Sequence, residues 1–371
     1  MIVLLYKVCV LLYNDSAGQG ARIRVRIIFC LRRNISIYLT RVNIMKKIAF
    51  FDYKPYDKDG FEKNKSDNFE IEYHESRLNA SSVRLAEGAD AVCAFVNDEL
   101  SEEVLAQLAA YNIKAVALRS AGYNNVDLKA AEKYGITVMR VPAYSPHAVA
   151  EHAAALLLTL NRKVHKSYIR TRDFNFSLNG LTGMDLYGKT AGVVGTGRIG
   201  KCFAAICKGF GMRVLAYDAF PDKEWNGGEY VDLETLLAES DVISLHCPLV
   251  NDTYHMIDWQ AFSVMKRGAI LINTSRGGLI DSLALLSAID GGKLGAAGLD
   301  VYEEEADYFF EDKSEKPIKD DVLSLLLTKP NVIISSHQAF LTVEALNNIA
   351  EVTLCNLVNF FNGNPTNAVK R

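Results

Sequence analysis

Three glycines in the run TAGVVGTGRIG, Gly195, Gly197 and Gly200, follow an apolar stretch and open a helical one. In that context Gly195 permits a tight turn, Gly197 lets backbone approach a pyrophosphate, and Gly200 lets helix and strand pack closely. The helix start adds free N–H groups and a positive dipole end. Asp218 ends the next strand, 18 residues beyond Gly200, near the spacing at which a carboxylate receives ribose hydroxyls. Together these residues point to a dinucleotide, and each alone would be a weak signal.

A second set could move protons and grip an anion. His246 and His337 both end strands, where ligands of open α/β sheets gather, whereas His147, His152 and His165 lie on a long helix. Arg276 in INTSRGG follows an apolar run and is flanked by Gly277 and Gly278, which allow a ligand close to the backbone. Nine acids lie between Glu303 and Asp321, a pattern that by itself reads as a solvated loop and selects no one glutamate. Hydride transfer to a 2-oxo acid needs a cation on the carboxylate, a proton donor at the carbonyl oxygen and an acid beside that donor. Arg, His and Glu supply those groups.

The elements that must position them alternate. Apolar runs at 47–53, 90–96, 114–120 and 136–142, with helical patterns at 101–112 and 126–135 between them, read as βαβ units of a parallel sheet. A helix capped by Ser145, with Pro146 at its first position and apolar residues through Leu160, connects to a second series. Its strands are expected at 190–195, 212–218, 241–247, 269–275, 295–302 and 331–337, and a last amphipathic helix at 342–361. The fold class is therefore α/β, two Rossmann-like domains with parallel sheets flanked by helices and an active-site cleft between them.

Composition narrows the class. The 371 residues are 49% hydrophobic and 23% charged, which is ordinary for about two globular domains. Residues 1–44 carry Lys7 and six arginines against Asp15 alone, leaving the other 327 residues with 34 bases and 43 acids. An acidic body argues against nucleic acid as partner. No apolar run reaches the ~18 residues of a membrane span, so no membrane partner is expected. The seven cysteines (Cys9, Cys30, Cys93, Cys202, Cys207, Cys247, Cys355) form no C-x-x-C pair, so neither disulfides nor a metal site is expected, and a reducing cytoplasm is the simplest home. Met45 begins a clean first strand, MKKIAFFDY, and residues 1–44 are read as a leader outside the fold.

From Met45 to near the C-terminus the sequence resembles the D-isomer-specific 2-hydroxyacid dehydrogenases, and within them the bacterial fermentative D-lactate dehydrogenases. The strings that carry the resemblance are ALRSAGYNNVDL, RVPAYSPHAVAEHA, GKTAGVVGTGRIG, DVISLHCPL, INTSRGGLIDS, GLDVYEEE and SSHQAFLT. It implies Arg276 on the substrate carboxylate, His337 as acid/base and Glu305 as its partner, with His246 reverting to a structural or cofactor-edge position. For NAD it implies Arg198 and Ile199 beside the pyrophosphate with Gly195, Gly197 and Gly200, and Asp218 on the ribose. Cys247 and Pro248 fall near the adenine side, Thr274 by the nicotinamide half and Asp300 at the carboxamide, with Thr253, Ser275 and Arg276 also among the cofactor contacts. For the substrate it implies Val96, Asn97 and Gly122 as loop contacts, with Tyr144 and Phe340 as an aromatic wall suited to a short side chain.

The implied division is 45–144 with 339–371 for the substrate domain and 145–338 for the NAD-binding domain. The implied activity is reversible reduction of pyruvate by NADH to D-lactate in a homodimer or homotetramer. The alternatives are a related enzyme for a larger 2-oxo acid, or an NAD-sensing regulatory protein.

Overall fold

Strands covered on both faces need an apolar side chain at nearly every position, and the runs AVCA, AVAL, VISL and AILIN meet that need. In the computed structural model all four are buried throughout. The structure describes residues 45–305 and 308–370 and, within the first 44, the strands β1 (Val8–Asn14), β2 (Ile23–Leu31) and β3 (Asn34–Tyr38). Those three pair antiparallel as a sheet of their own, and the remainder of the segment read as a leader lies outside the described residues. The chain divides into two compact units, residues 1–140 with 353–371, and residues 141–352. The sequence pattern and the resemblance imply crossings at 144/145 and 338/339.

In the first unit, β4 (Lys46–Phe50), β5 (Phe69–Tyr73), β6 (Ala91–Ala94), β7 (Ala115–Leu118) and β8 (Thr137–Met139) form a parallel sheet in the order β5-β4-β6-β7-β8. Helices α1 (Pro55–Asn64), α2 (Glu102–Ala110) and α3 (Leu128–Tyr134) connect them. The sequence reading passes over α1 and β5. Helix α1 buries only Asp57 and Phe61 and carries Gly60, so it has no apolar stripe to read. Strand β5, FEIEY, lies at the sheet edge with Glu70 and Glu72 exposed.

The second unit opens with α4 (Pro146–Arg162), whose first turn is closed by Ser145 Oγ accepting from the Ala148 amide. Helix α5 (Val164–Arg172) follows, then β9 (Thr190–Val194), α6 (Arg198–Gly209), β10 (Arg213–Tyr217), β11 (Glu229–Tyr230) and α7 (Leu233–Glu239). The series ends with β12 (Val242–Leu245), α8 (Trp259–Val264), β13 (Ala269–Asn273), α9 (Ser282–Asp290), β14 (Leu294–Leu299), α10 (Asp321–Thr328) and β15 (Val332–Ile334). The sheet order is β11-β10-β9-β12-β13-β14-β15, so the six expected strands are present with the two-residue β11 added at one edge. The order reverses between β9 and β12, the position at which such sheets take nucleotides beyond their carboxyl ends. Helix α4 contributes Ala150, Ala153 and Leu157 to one buried cluster with Val193, Ile270 and Ile272 of this sheet. Full burial of a leucine such as Leu157 is worth about 1.5–3 kcal/mol.

The last helix, α11 (Val343–Phe361), runs from one unit into the other. Asn348 donates to the Tyr144 carbonyl in the second unit, and Asn356 donates to the Arg140 carbonyl in the first.

Candidate active site

The glycine turn lies between β9 and α6, with Gly197 as N-cap. A Cβ on Gly200 would fall 1.9 Å from the Gly195 carbonyl oxygen, so the helix can approach the strand this closely only without a side chain. A Cβ on Gly197 would meet nothing within 4 Å, which leaves the helix start open. Arg198 and Ile199 form the first turn of α6, where amides lack intrahelical acceptors. Asp218 follows β10 and is held in place before any ligand arrives. Its Oδ2 accepts from the Thr196 amide at 2.7 Å and hydroxyl at 3.0 Å, and its Oδ1 from the Phe220 amide at 2.9 Å. Thr274 is 8% exposed and its hydroxyl has no partner. An open helix start, a fixed carboxylate and an orphaned hydroxyl at the strand ends fit a dinucleotide.

Cys247, Pro248 and Thr253 form the loop after β12. The Thr253 hydroxyl donates to the Pro248 carbonyl at 2.7 Å and accepts from the Val250 amide at 2.9 Å, so it shapes the loop. Burial pushes the Cys247 thiol up to about 11, and its Sγ lies 3.6 Å from Met256 Sδ. The Ser275 hydroxyl donates to the Cys247 carbonyl at 2.6 Å, which ties the loop after β12 to the loop after β13.

The second of these loops presents Arg276. Asn273, fully buried at the end of β13, accepts from the Ser275 amide and donates to the Arg276 carbonyl, closing the turn around its own side chain. Arg276 is partly buried, and its Nη1 donates to the Ser275 carbonyl at 2.7 Å. Gly277 then packs on the 302–303 backbone so closely that a Cβ would lie 2.0 Å from the Tyr302 carbonyl carbon. That contact brings the Arg276 turn beside the acidic run.

The run resolves into separate roles. Glu303 accepts from Tyr254 and Ser282 and pairs with His255 at 2.6 Å, while Glu304 is exposed. Glu305 Oε1 lies 2.8 Å from His337 Nδ1, and its Oε2 accepts from the Tyr302 amide at 3.0 Å. Because a carboxylate only accepts, Nδ1 carries the proton in this pair and Nε2 is the nitrogen left for chemistry. The Phe310 ring lies 5.7 Å from the imidazole.

His337 itself has φ +52°, a left-handed conformation that a non-glycine residue holds only when its surroundings impose it. Its amide donates to the Asp300 carbonyl at 2.7 Å, and the next two amides, of Gln338 and Ala339, donate to the Asp300 carboxylate. Burial raises the Asp300 carboxyl, but hydrogen bonds from His152, Ser335 and the Ala339 amide outweigh it and hold the group below the usual carboxylate range. Tyr144 and Phe340 meet edge to face at 6.4 Å and 76°.

In the first unit, Val96 and Asn97 follow β6 and Gly122 follows β7, both at carboxyl ends of the sheet. Asp98 fixes the first loop by accepting from the Phe95 and Leu78 amides. The Asn97 Nδ2 is enclosed without a partner, and the Gly122 carbonyl accepts from Ser120 at 2.7 Å. Buried Arg119 braces these ends from behind, its Nη1 on Asp57 and its Nη2 on the Phe51 carbonyl.

His246 differs from His337 despite its similar strand-end position. Its Nε2 meets Ser244 Oγ at 2.9 Å, its Nδ1 is enclosed without a partner, and burial pushes it down to about 3. Such a group stays neutral and serves poorly as a proton donor. Sequence alone gives no reason to choose Asn273, Ser335, Tyr302 or His152 for chemistry, and only the strings INTSRGG, SSHQAF, GLDVYEEE and AEHA flag them.

A paired imidazole on the same strand ends as a dinucleotide turn is the arrangement of an NAD-linked oxidoreductase acting on CH–OH. Residues 154–339 match the family described as D-isomer specific 2-hydroxyacid dehydrogenase, NAD binding domain, and the chain belongs to that family. It is 53% identical over 320 residues to a 2-hydroxyacid dehydrogenase homolog of Haemophilus influenzae, covering 85% of this chain and 97% of that one. With a D-lactate dehydrogenase of Escherichia coli it shares 52% over 320 residues, at the same coverages. Among solved structures, an Escherichia coli D-lactate dehydrogenase in its apo form superposes with TM-score 0.80 at 49% identity, covering 87% of this chain and all of that one. The pyruvate reductase of Chlamydomonas reinhardtii superposes with TM-score 0.83 at 42% identity, covering 87% and 98%.

Two outcomes follow from these environments. With His246 at about 3 in the folded chain and ~6.5 unfolded, its contribution to stability is whole above pH 6.5 and lost as the pH falls below it. His246→Gln should therefore flatten the decline in unfolding free energy between pH 6.5 and 5 by up to ~1.4 kcal/mol per pH unit, read by denaturant titration. Identical slopes would free His246 of that role.

At Asp218, the 2′-phosphate of NADPH would place charge against the carboxylate. Two charges ~4 Å apart at an effective dielectric of about 20 repel by at most roughly 4 kcal/mol. Asp218→Ser should lower the preference for NADH over NADPH in kcat/KM, and an unchanged ratio would refute the assignment.

Proposed function

We propose that this chain is an NAD-dependent D-lactate dehydrogenase, reducing pyruvate with NADH to D-lactate and running the reverse reaction with NAD. The observation that carries the reading is the 2.8 Å pair of His337 and Glu305 at the strand ends that also present Arg276. The names of the Escherichia coli and Chlamydomonas relatives support pyruvate as the 2-oxo acid.

NADH, when bound at the glycine turn, supplies the hydride. Arg276 binds the substrate carboxylate and polarises the carbonyl through its planar fork. His337 holds a proton at Nε2 and passes it to the carbonyl oxygen as that oxygen gains charge. Glu305, fixed by the Tyr302 amide, sets the tautomer and orientation of the ring. In the reverse direction neutral Nε2 takes the hydroxyl proton. Val96, Asn97 and Gly122 add loop contacts to the carboxylate, with the orphaned Asn97 amide as support. Tyr144 and Phe340 form the wall beside the reacting carbon, and their edge-to-face pairing favours the methyl of pyruvate over a long side chain.

Within this reading residues 45–144 and 339–371 form the substrate domain and 145–338 the NAD domain. The protein works in the cytoplasm as a homodimer or homotetramer.

NADH oxidation over a panel of 2-oxo acids tests the substrate. Pyruvate is expected to give the highest kcat/KM with D-lactate as product, and a larger 2-oxo acid in first place would overturn it. Arg276→Lys is expected to raise the KM for pyruvate about 10–100-fold, the loss of a charge-assisted fork worth ~1.5–3 kcal/mol. NADH affinity should stay within about threefold, and an equal loss of it would make Arg276 a cofactor residue.

A further inference from the structure

Behind the proposed acid/base lies a hydrogen-bonded cluster whose helix member, His152, has no part in the proposed reaction. Asp300 is wholly buried and receives four donors. The Ser335 hydroxyl reaches Oδ1 at 2.7 Å, the Gln338 amide Oδ1 at 2.9 Å and the Ala339 amide Oδ2 at 2.8 Å. The fourth comes from α4, where His152 Nε2 lies 3.3 Å from Oδ1 and 3.1 Å from Ser335 Oγ. The proton positions follow from the donor inventory. The carboxylate only accepts and the Ser335 proton is directed to it, so His152 Nε2 must be the protonated nitrogen, shared between Asp300 and the Ser335 oxygen.

Packing does not explain an imidazole there. Apart from Asn161 in its last turn, the buried face of α4 is otherwise alanine, valine and leucine, and the ring is 18% exposed. Beside it an open groove of about 330 Å³ is lined by Ala148, Glu151 and Ala155 of α4 and by Ala339, Leu341 and Thr342 of the turn after His337. The His152 hydrogen bonds bridge helix and turn.

We propose that His152 is a positioning residue for the reaction, acting through Ser335 and Asp300 to hold the 335–339 turn in the form that imposes the left-handed backbone of His337. The inference rests on the reading of His337 as the acid/base. Without the His152 donor, Ser335 loses the contact that orients its hydroxyl, and the three donors left on Asp300 no longer hold the turn as tightly. The strained His337 backbone then relaxes and Nε2 drifts from the substrate oxygen. Displacements of ~1 Å at a reacting group cost up to about a hundredfold in rate.

The test compares the unmodified enzyme with His152→Leu, His152→Gln, Ser335→Ala and the Leu/Ala double variant. The substrate is the 2-oxo acid that the unmodified enzyme reduces fastest, with active sites counted by NADH titration. His152→Leu should lower kcat ~10–100-fold per active site, with NADH affinity and substrate KM within about threefold. Deuterated NADH should show a larger isotope effect on kcat as the chemical step becomes limiting. His152→Gln, which restores an N–H donor, should recover turnover to within about fivefold of the unmodified enzyme, and the double variant should lose little beyond His152→Leu alone.

Turnover per site within about twofold in His152→Leu overturns the inference, as does a loss that falls equally on NADH affinity. If His152→Leu does not fold, full turnover in Ser335→Ala overturns it, and a selective kcat loss there with recovery in His152→Gln supports it. An unmodified enzyme that reduces no 2-oxo acid would instead refute the proposed function, and with it this role.

Discussion

One buried carboxylate organises the backbone around His337 in the second unit. An ionised carboxylate without donors in a protein interior is strongly unfavourable, so Asp300 is stable only where donors converge on it. Two of these are consecutive backbone amides, those of Gln338 and Ala339, and amides reach one carboxylate together only when the chain turns sharply just before them. That turn is His337, held at φ +52°. The His337 imidazole thus owes its direction to a requirement for solvating a neighbouring charge.

Arg276 and Glu305 are placed by backbone proximity. Arg276 sits on a turn closed by the Asn273 side chain, and Gly277 lets that turn lie directly on the backbone of Tyr302. Since the Tyr302 amide in turn holds Glu305, the cation and the carboxylate partner of His337 are set by adjoining stretches of main chain. Long side chains on flexible loops would lose rotamer freedom to reach the same geometry. Short connections from parallel strand ends avoid most of that loss.

The first unit repeats the principle with a cation in place of an anion. Arg119 is wholly buried, yet its guanidinium finds the Asp57 carboxylate, two carbonyls and the faces of Phe50 and Phe95. Its own amide extends the pairing with Ala94. These contacts lock the carboxyl ends of β4, β6 and β7, the ends that carry Val96, Asn97 and Gly122.

The sequence by itself determined the features that depend on neighbours along the chain. Gly195, Gly197, Gly200 and Asp218 belong to one strand-helix-strand unit, so their spacing alone encodes the turn, the helix start and the fixed carboxylate. The doubly covered strands were legible for a similar reason, because burial on both faces demands unbroken apolar runs. Where that demand lapses, at polar α1 and edge strand β5, the elements left no readable pattern. Glu305 could not be told from Glu303 or Glu304 by position, and only the resemblance favoured it. The choice among them depends on which glutamate meets a histidine 32 residues away and which meets His255. The same holds for His337 against His246, alike as strand-end histidines and opposite in environment, and for His152, which meets Ser335 across 183 residues. Those pairings exist only after the sheet has closed, since contacts between distant residues are set by the packing of whole elements rather than by local spacing.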